Sequence, residues 1–491
     1  MAETRGVGTV LSPRGAGLTG LWPPLVLGAL LRLLAAVASA PTPGDDIGRM
    51  AAACRWSLHP EWLGLSGIWP PFPAYLLGSL IRLGGSAIFW AHALGWVTST
   101  AALPLLYLAV RELYGDARRA ALATWMLAVY YVHIWMAGTA YVETPYLCLL
   151  FACLWFCARA VHRSGAARDR EALTAGIAMA LALLFRHEAK IVSVILLVWL
   201  VREAGVRATL RYAIPALGVL AWQLVEPSLM RPGGGFAHDA SIVAGMKIAE
   251  VTLHGSRLDA LSRWIVMPAG SPSLIVLGLA IAGVWMARGT WGRDPWLWLF
   301  AGQTAVFLTL TIYPGWQPYL RYIFLYVVCL LPHAALALDA AGRRWPAAVP
   351  LALGLTLLLQ APAWSRGRND GRPLGWLPVY IAAPQQAVLD AWMREHLEHD
   401  RVLTLEGYPP EWDAVGSVMA LGRCDLVTHV RLVSYDQKMA LAKGGTLDTA
   451  GYDVLIFDPS SRSWDDAKRT FTRAYAVEHR DEKLAIVRLA K

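Results

Sequence analysis

Charged residues are scarce in this chain of 491 residues. Asp, Glu, Lys and Arg together make 16% of it, where a soluble domain carries about a quarter. With 56% hydrophobic residues and a mean hydropathy of +0.43, that shortage excludes an ordinary soluble globular protein. Cysteine is sparse too, and the six present have no metal-ligand spacing. Cys148, Cys153 and Cys157 share one apolar run and read as packing residues. The glycines of "RPGGGFAHD" are followed by no helix-opening Lys-Ser/Thr, which excludes a nucleotide P-loop and leaves a hinge or loop. Pseudo-symmetric repeats are missing, and that counts against a transporter built on them.

What is there is a series of apolar runs near bilayer length. The pattern predicts a polytopic α-helical membrane protein with eleven spans, near 21–40, 86–110, 119–132, 141–160, 172–186, 189–203, 212–229, 265–287, 294–313, 320–338 and 346–363. The pieces at 119–132 and 172–203 are short and leave open a merged or re-entrant arrangement. With the N-terminus inside, the cytoplasmic segments carry 16 Lys/Arg, against 10 in the outer loops and span edges before residue 364. The positive-inside rule therefore favours N-in and C-out, and the net charge of +9 is a topological signal, not one for nucleic acid. Several of the 23 Trp fall near span boundaries, as an aromatic belt requires. "AVASA" before Pro41 resembles a signal-peptidase site, but the apolar run ahead of it is long for a signal core. On either reading the residues after Ala40 lie outside the cytoplasm. Cys54 and Cys424 then both face outward, which leaves a disulfide between them open.

Two long outer loops are expected within the transmembrane region 1–363, at 41–85 and 230–264. The first contains "FPAYLLGSLIRL", too short to span and read as an interfacial helix. Beyond residue 363 the composition changes. "RVLTLEG", "LVTHVRLVS", "YDVLIFDPS" and "KLAIVRLA" read as strands, and "PQQAVLDAWMREHLE" and "SWDDAKRTFTRAYA" as helices. Residues 364–491 are thus a small extracytoplasmic α/β domain.

The outer edges of the spans gather polar groups. They are Asp45 and Asp46, then His59 and Glu61 in "SLHPEW", Trp69 in "GIWPPFPAY", and Glu143 in "AYVETPY". "FRHEAK" adds Arg186, His187, Glu188 and Lys190, and "YPGWQPYLRY" adds Tyr313, Tyr319, Arg321 and Tyr322. Ionisable groups at membrane depth are costly, so a functional role is the default hypothesis. Plainer readings stand beside it. A carboxylate near bulk water costs little, which suffices for Asp46 or Glu61. The "FRHEAK" charges can pair among themselves, and Arg321 can snorkel to the interface. Together, cations suit a phosphate carried on a lipid and a carboxylate suits proton removal from a hydroxyl.

A resemblance sharpens this. An apolar span with an internal Arg32, an acidic pair in the first outer loop, "WPPFPAYLLGSLIRL", and then "PLLYLAVRELYGDARRAALATWMLAVYYVHIWMAGTAYVETPYL" resemble the GT-C membrane glycosyltransferases. The branch is that of protein O-mannosyltransferases and aminoarabinose transferases. "RHEAK" resembles that group's Arg-aromatic-Glu segment, and "PYLRYIFLYVVCLLP" its late Arg-Tyr span; the likeness covers roughly residues 20–340. It implies a GT-C fold and an inverting transfer of mannose or another hexose or pentose from a polyprenyl- or dolichyl-phosphate. The acceptor implied is a protein, glycan or lipid hydroxyl. Asp45 maps to the family's base, with Asp46 and Glu143 as supporting carboxylates. Arg186, Lys190 and Arg321 would hold the donor phosphate. His59, Trp69, His187, Glu188, Tyr319 and Tyr322 would line the substrate pocket. No metal ligand is implied; a divalent cation is compatible with this chemistry but not required. The chain departs from the family at the insertion "RWSLHPEWLGLSG" and lacks a β-trefoil domain.

Two rivals share these residues. A flippase of lipid-linked sugars would need the cations but no base. An oligosaccharide ligase or polymerase would place catalysis in a late outer loop. The topology has a direct test: alkaline phosphatase, which needs an oxidising compartment, is expected to be active when fused after residue 364 and inactive after Arg163. The opposite pattern overturns the orientation.

Overall fold

The computed structural model describes residues 20–40, 45–60, 70–230, 261–262, 264, 274–312, 324–325, 327–364, 372–374, 377–381, 384–405, 414–432, 449–459 and 475–490. Its first part is helical. The helices are α1 (Trp22–Ala38), α2 (Asp45–Leu58), α3 (Phe72–Arg82), α4 (Ala87–Tyr114), α5 (Ala117–Ala128), α6 (Tyr131–Trp135), α7 (Glu143–His162), α8 (Gly165–Phe185), α9 (Ala189–Ala204) and α10 (Val206–Met230). After a stretch outside the described residues come α11 (Leu274–Met286), α12 (Pro295–Ile312), α13 (Leu331–Arg344) and α14 (Ala348–Trp364).

Local chemistry sets several boundaries. Ser86 opens α4 by accepting from the Phe89 amide at 3.1 Å. Gly115, at φ 66°, closes it in the left-handed region. Asp116 immediately caps α5, accepting from the amides of Arg118 and Arg119 at 2.9 and 3.0 Å. "YGDA" is thus a stop and a start in four residues, and it forces α4 and α5 into a tight hairpin.

Packing follows a pattern turned inside out relative to soluble proteins. On α10, Val206, Leu210, Ile214 and Leu217 form an exposed stripe at helical spacing, while Ala208, Tyr212 and Ala216 are buried. On α1 the exposed row is Trp22, Val26, Leu30, Leu33 and Val37. Rows of this kind suit a hydrocarbon solvent. Small residues bring the helices together: a Cβ on Gly176 of α8 would lie 2.2 Å from the Tyr212 carbonyl oxygen of α10. The centre of the bundle is α4, α7 and α8, with α5, α10 and α13 around it.

By length and composition, three described helices can cross a membrane: Ala87–Tyr114, Glu143–His162 and Pro295–Ile312. A fourth span is available if Ala117–Ala128 and Tyr131–Gly138, bent by 62°, are taken together. Shorter apolar helices lie at Trp22–Ala38, Leu274–Met286 and Ala348–Leu359. Among the described residues this is fewer than the eleven expected spans. The "FRHEAK" turn keeps α8 and α9 as separate helices. The stretch "FPAYLLGSLIRL", expected as an interfacial helix, is helical and forms α3. The acidic pair, expected in a loop, opens a helix of its own, α2.

The second part carries a five-stranded sheet of order β4-β3-β5-β7-β6, from β3 (Val402–Thr404), β4 (Val430–Leu432), β5 (Val454–Phe457), β6 (Tyr475–Arg480) and β7 (Ala485–Leu489). Two short strands, β1 (Arg372–Leu374) and β2 (Leu377–Ile381), pair separately. β3 runs parallel to β4 and β5, and β7 antiparallel to β5 and β6. Helices α15 (Pro384–His396) and α16 (Ala414–Ala420) pack beside the sheet. Each of the four strand segments read from the sequence contains a strand (β3, β4, β5 and β7), although "LVTHVRLVS" opens in a 3-10 turn, Cys424–Thr428. "SWDDAKRTFTRAYA" lies mostly outside the described residues, and its end is not helical: Tyr475 and Ala476 pair with Leu489 and Arg488 of β7. Ladder pairing there overrides local helix preference.

The two parts share a core. Ile47, Met50, Ala51 and Cys54 of α2 are buried in one cluster with Met393, Val418, Met419 and Leu426. Cys54 and Cys424 are bridged by a disulfide, 370 residues apart in sequence, with a Cα–Cα distance of 5.1 Å. Cys148, Cys153, Cys157 and Cys329 are free thiols. Cys54→Ser and Cys424→Ser are each expected to destabilise the protein by about 2–4 kcal/mol, read as a lower unfolding midpoint. The double variant should be no worse than either. Unchanged midpoints in both single variants would show that the bridge does not hold the domain.

Candidate active site

The site is built around α2. Asp46 is fully buried, and its Oδ1 accepts from the Ala140 amide at 2.5 Å. Ala140 lies three residues before Glu143, so this bond pins the start of α2 to the segment that leads into α7. Asp45 is the residue that opens α2; its side chain lies outside the described ones. Helix α2 continues through Ile47, Met50, Ala51 and Cys54, whose spacing buries one face and leaves its first turn at the edge of the bundle.

Beside it lies a small cleft. Arg49 of α2 lines it, with Ala140, Tyr141 and Val142 before α7 and Phe185 at the end of α8. The next residue, Arg186, is buried between two carboxylates. Its Nε and Nη2 donate to the two oxygens of Glu188 at 2.9 and 2.8 Å, and Nη1 donates to Glu143. Glu143 is 1% exposed and is the first residue of α7, where the helix dipole favours a negative charge. Burial works against a charged Glu188, but the bidentate guanidinium outweighs it and holds that carboxyl below its usual range. Among the described residues, Glu143 Oε2 and the buried Tyr146 hydroxyl have no hydrogen-bond partner. Lys190 is half-buried one turn further on, and His187 is exposed. Three of the expected residues, Glu143, Arg186 and Glu188, therefore meet in one cluster.

The other expected residues are placed differently. His59 is exposed just past the end of α2. Glu61, Trp69, Tyr313, Tyr319, Arg321 and Tyr322 lie outside the described residues. No group of three His, Cys, Asp or Glu side chains able to hold a metal ion occurs among the described residues.

Sequence reasoning noted Arg32 as a family feature but gave it no partner. Arg32 is fully buried in α1. It donates to the carbonyls of Gly28, Ala128 and Leu127 at 2.9, 3.0 and 2.8 Å, and Nη2 lies 2.6 Å from His133 Nδ1. Helix α5 breaks after Ala128, and its last carbonyls lose their i+4 donors. The guanidinium replaces them, which is why the chain can bend there inside an apolar bundle. His92 braces the same region, with Nδ1 2.6 Å from the Ala36 carbonyl. Arg49 was also missed; a cation three residues beyond the acidic pair, on the next helical turn, was the available signal.

Comparison with known proteins fits this geometry. The model of the dolichyl-phosphate-mannose-protein mannosyltransferase family matches residues 69–230. ArnT from Cupriavidus metallidurans, in a crystal structure bound to undecaprenyl phosphate, matches with a TM-score of 0.62 at 14% identity, over 96% of this chain and 98% of that one. The oligosaccharyltransferase of Archaeoglobus fulgidus, tethered to an acceptor peptide, gives a TM-score of 0.57 at 13% identity, over 90% and 69%. The chain has the GT-C fold. No curated protein matches it in sequence. Within this GT-C bundle the Asp46 bond, the cleft and the Glu143–Arg186–Glu188 cluster lie together at one end, where α2, α7, α8 and α9 begin or finish.

The buried ion cluster has a stability signature. Arg186→Gln leaves two buried carboxylates without their cation and is expected to cost about 3–5 kcal/mol. Glu143→Gln in the same chain should recover part of the loss. An unchanged thermal midpoint in Arg186→Gln would show that the cluster does not hold α7 against the α8–α9 turn.

Proposed function

We propose that this GT-C chain is an inverting glycosyltransferase. It takes a sugar from a polyprenyl-phosphate donor and places it on an acceptor hydroxyl at the extracytoplasmic side of the membrane. The observation that carries the reading is the pinned acidic helix: α2 opens on Asp45-Asp46, and Asp46 is held to the Ala140 amide beside a cleft lined by Arg49, Val142 and Phe185, the last two adjoining Glu143 and Arg186 in the chain.

The chemistry assigned to these residues is direct displacement. The acceptor oxygen attacks the anomeric carbon while its proton passes to the Asp45 carboxylate. The bond from that carbon to the phosphate oxygen breaks, and the lipid phosphate leaves with the electron pair. Inversion follows from attack opposite the leaving group. Developing charge on the phosphate is met by Lys190 and Arg321, with Arg186 as the third cation of the group. Arg186 is already engaged by Glu143 and Glu188, so its part is to fix the outer ends of α7 and α8 and to lend positive charge. Asp46, spent on the Ala140 amide, orients α2 and with it Asp45. Glu143 supports through Arg186. His59, Trp69, His187, Glu188, Tyr319 and Tyr322 are assigned to the sugar and acceptor pocket. The ArnT relative's undecaprenyl phosphate and the A. fulgidus enzyme's acceptor peptide support a lipid-phosphate donor and an extended choice of acceptors.

Purified full-length protein, given polyprenyl-phosphate sugars and candidate acceptors, is expected to release polyprenyl phosphate. Asp45→Asn should lower turnover by about 10²–10⁴-fold with an unchanged unfolding midpoint. Asp46→Asn should lower both turnover and midpoint, because a backbone partner is weakened. Full turnover in Asp45→Asn would remove the base assignment. Transbilayer movement of the lipid by that variant, without sugar transfer in the unaltered protein, would favour a flippase instead.

A further inference from the structure

Away from the acidic helix, α9, α11 and α12 line a shallow, largely open groove of about 590 Å3. Its walls are apolar: Val194 and Val198 from α9, Val284 from α11, and Leu297 and Trp298 from α12, with Trp291 at one end. That volume falls within the ~300–1,000 Å3 typical of small-molecule sites. An apolar groove opening sideways from a membrane bundle would be filled by a chain of the bilayer itself.

One end of the groove carries charge. Val194, Val198 and Arg202 follow one another at four-residue spacing on α9, so the stripe that lines the groove runs directly into an arginine. Arg202 is exposed, and its Nη1 donates to the Gly292 carbonyl at 2.6 Å. It therefore sits against the turn Arg288–Arg293, which also supplies Trp291 to the groove. Arg288 lies four residues beyond Val284, is exposed, and stacks over Trp285 with 5.2 Å from its guanidinium carbon to the ring centroid. Arg293 is exposed on the same turn. Glu203, 3.4 Å from Arg202 Nε, is the carboxylate paired there. Asp294 at the end of the turn is buried and engaged by Tyr114 and His333. Three exposed arginines against the Glu203 carboxylate therefore leave the mouth positive, and exposed Trp285 and Trp291 are the ring types that sit at headgroup level.

This end is remote from the candidate active site. Helix α9 starts beside Glu188, and Arg202 lies thirteen residues past its first residue, roughly 20 Å along the axis at ~1.5 Å per residue. A donor lipid whose sugar reaches Asp45 cannot also place its phosphate at Arg202.

We propose that this groove holds one anionic phospholipid of the leaflet opposite the active site, with an acyl chain between α9, α11 and α12 and the phosphate at Arg202 and Arg288. The lipid fills the gap between α11 and the α9–α12 pair, which pack directly on each other where Gly302 meets Ile195. Its binding does not depend on sugar transfer, so it stands or falls separately from the enzymatic reading.

The test is native mass spectrometry of the full-length protein with phosphatidylglycerol or phosphatidylcholine of matched chains, paired with photo-crosslinking from a diazirine-bearing phosphatidylglycerol. Retention of one phosphatidylglycerol over phosphatidylcholine is expected, with cross-links mapping to α9 and α12. Arg202→Gln with Arg288→Gln should weaken phosphatidylglycerol retention by about tenfold to thirtyfold and so remove its preference over phosphatidylcholine. Ala301→Trp, which fills the groove from an exposed position of α12, should abolish the cross-links while both arginines stay in place. Equal retention of the two lipids, cross-links elsewhere, displacement by polyprenyl phosphate, or a second copy of the chain on this face would each overturn the proposal.

Discussion

One hydrogen bond, from the Ala140 amide to Asp46, ties the start of the acidic helix to the segment before α7. Without it, α2 would keep its buried face against α3 and the soluble domain, but its first turn would lose that tie. With it, the helix is anchored at its first turn to the segment leading into α7 and at its last turns to the soluble domain. Along the helix Ile47, Met50 and Cys54 share a buried core with residues of α15, α16 and the turn Cys424–Thr428, and the Cys54–Cys424 bridge closes the connection. The proposed base, Asp45, is thereby presented from a short rigid element held at both ends, a better platform for proton transfer than a loop. The soluble domain is in this sense part of the site's frame.

The bundle pays heavily in buried charge, and each instance answers a backbone problem. Where α5 breaks at a 62° bend, Arg32 donates to the Ala128 carbonyl and adds to the Tyr130 amide on the Leu127 carbonyl. Arg186 joins the start of α7 to the turn between α8 and α9 through two carboxylates. At the far end, Asp294 caps α12 through the Trp296 amide. It also accepts from the Tyr114 hydroxyl at 2.7 Å and lies 3.0 Å from His333 Nε2. Arg119 covers the Tyr114 ring and donates to the Pro332 carbonyl. Each cluster sits at a helix end and ties together elements distant in sequence. The two ends thus differ in kind: one leaves a cleft among its charges, the other uses them to lock four helices.

Some of this was legible beforehand. The alternation of strand and helix after residue 363 showed in short β-branched runs bounded by turns, and β3, β4, β5 and β7 lie where those runs are. The α3 helix showed in its apolar run, and the meeting of Glu143 with "FRHEAK" in the cost of burying such groups. Helix α2 was not read from the sequence: Ile47, Met50, Ala51 and Cys54 have helical spacing, but the acidic pair and the proline-glycine stretch before it read as loop. Strand β6 was not legible, because Tyr475–Arg480 is an edge strand with almost no buried face and takes its conformation from β7.

What the sequence determined by itself is the solvent each segment seeks. Charge scarcity and long apolar runs specify helices with lipid-facing stripes, because backbone groups in hydrocarbon must be bonded within the segment. The alternating patterns after them specify a small sheet. Partnership was decided only by the tertiary structure: which carbonyl Arg32 reaches, that Arg186 faces two carboxylates, that Asp46 serves an amide, and that Cys54 meets Cys424. Those pairs span from 2 to 370 positions in the chain. No local pattern encodes them, since a buried polar group takes whichever partner the packed helices bring within hydrogen-bonding reach.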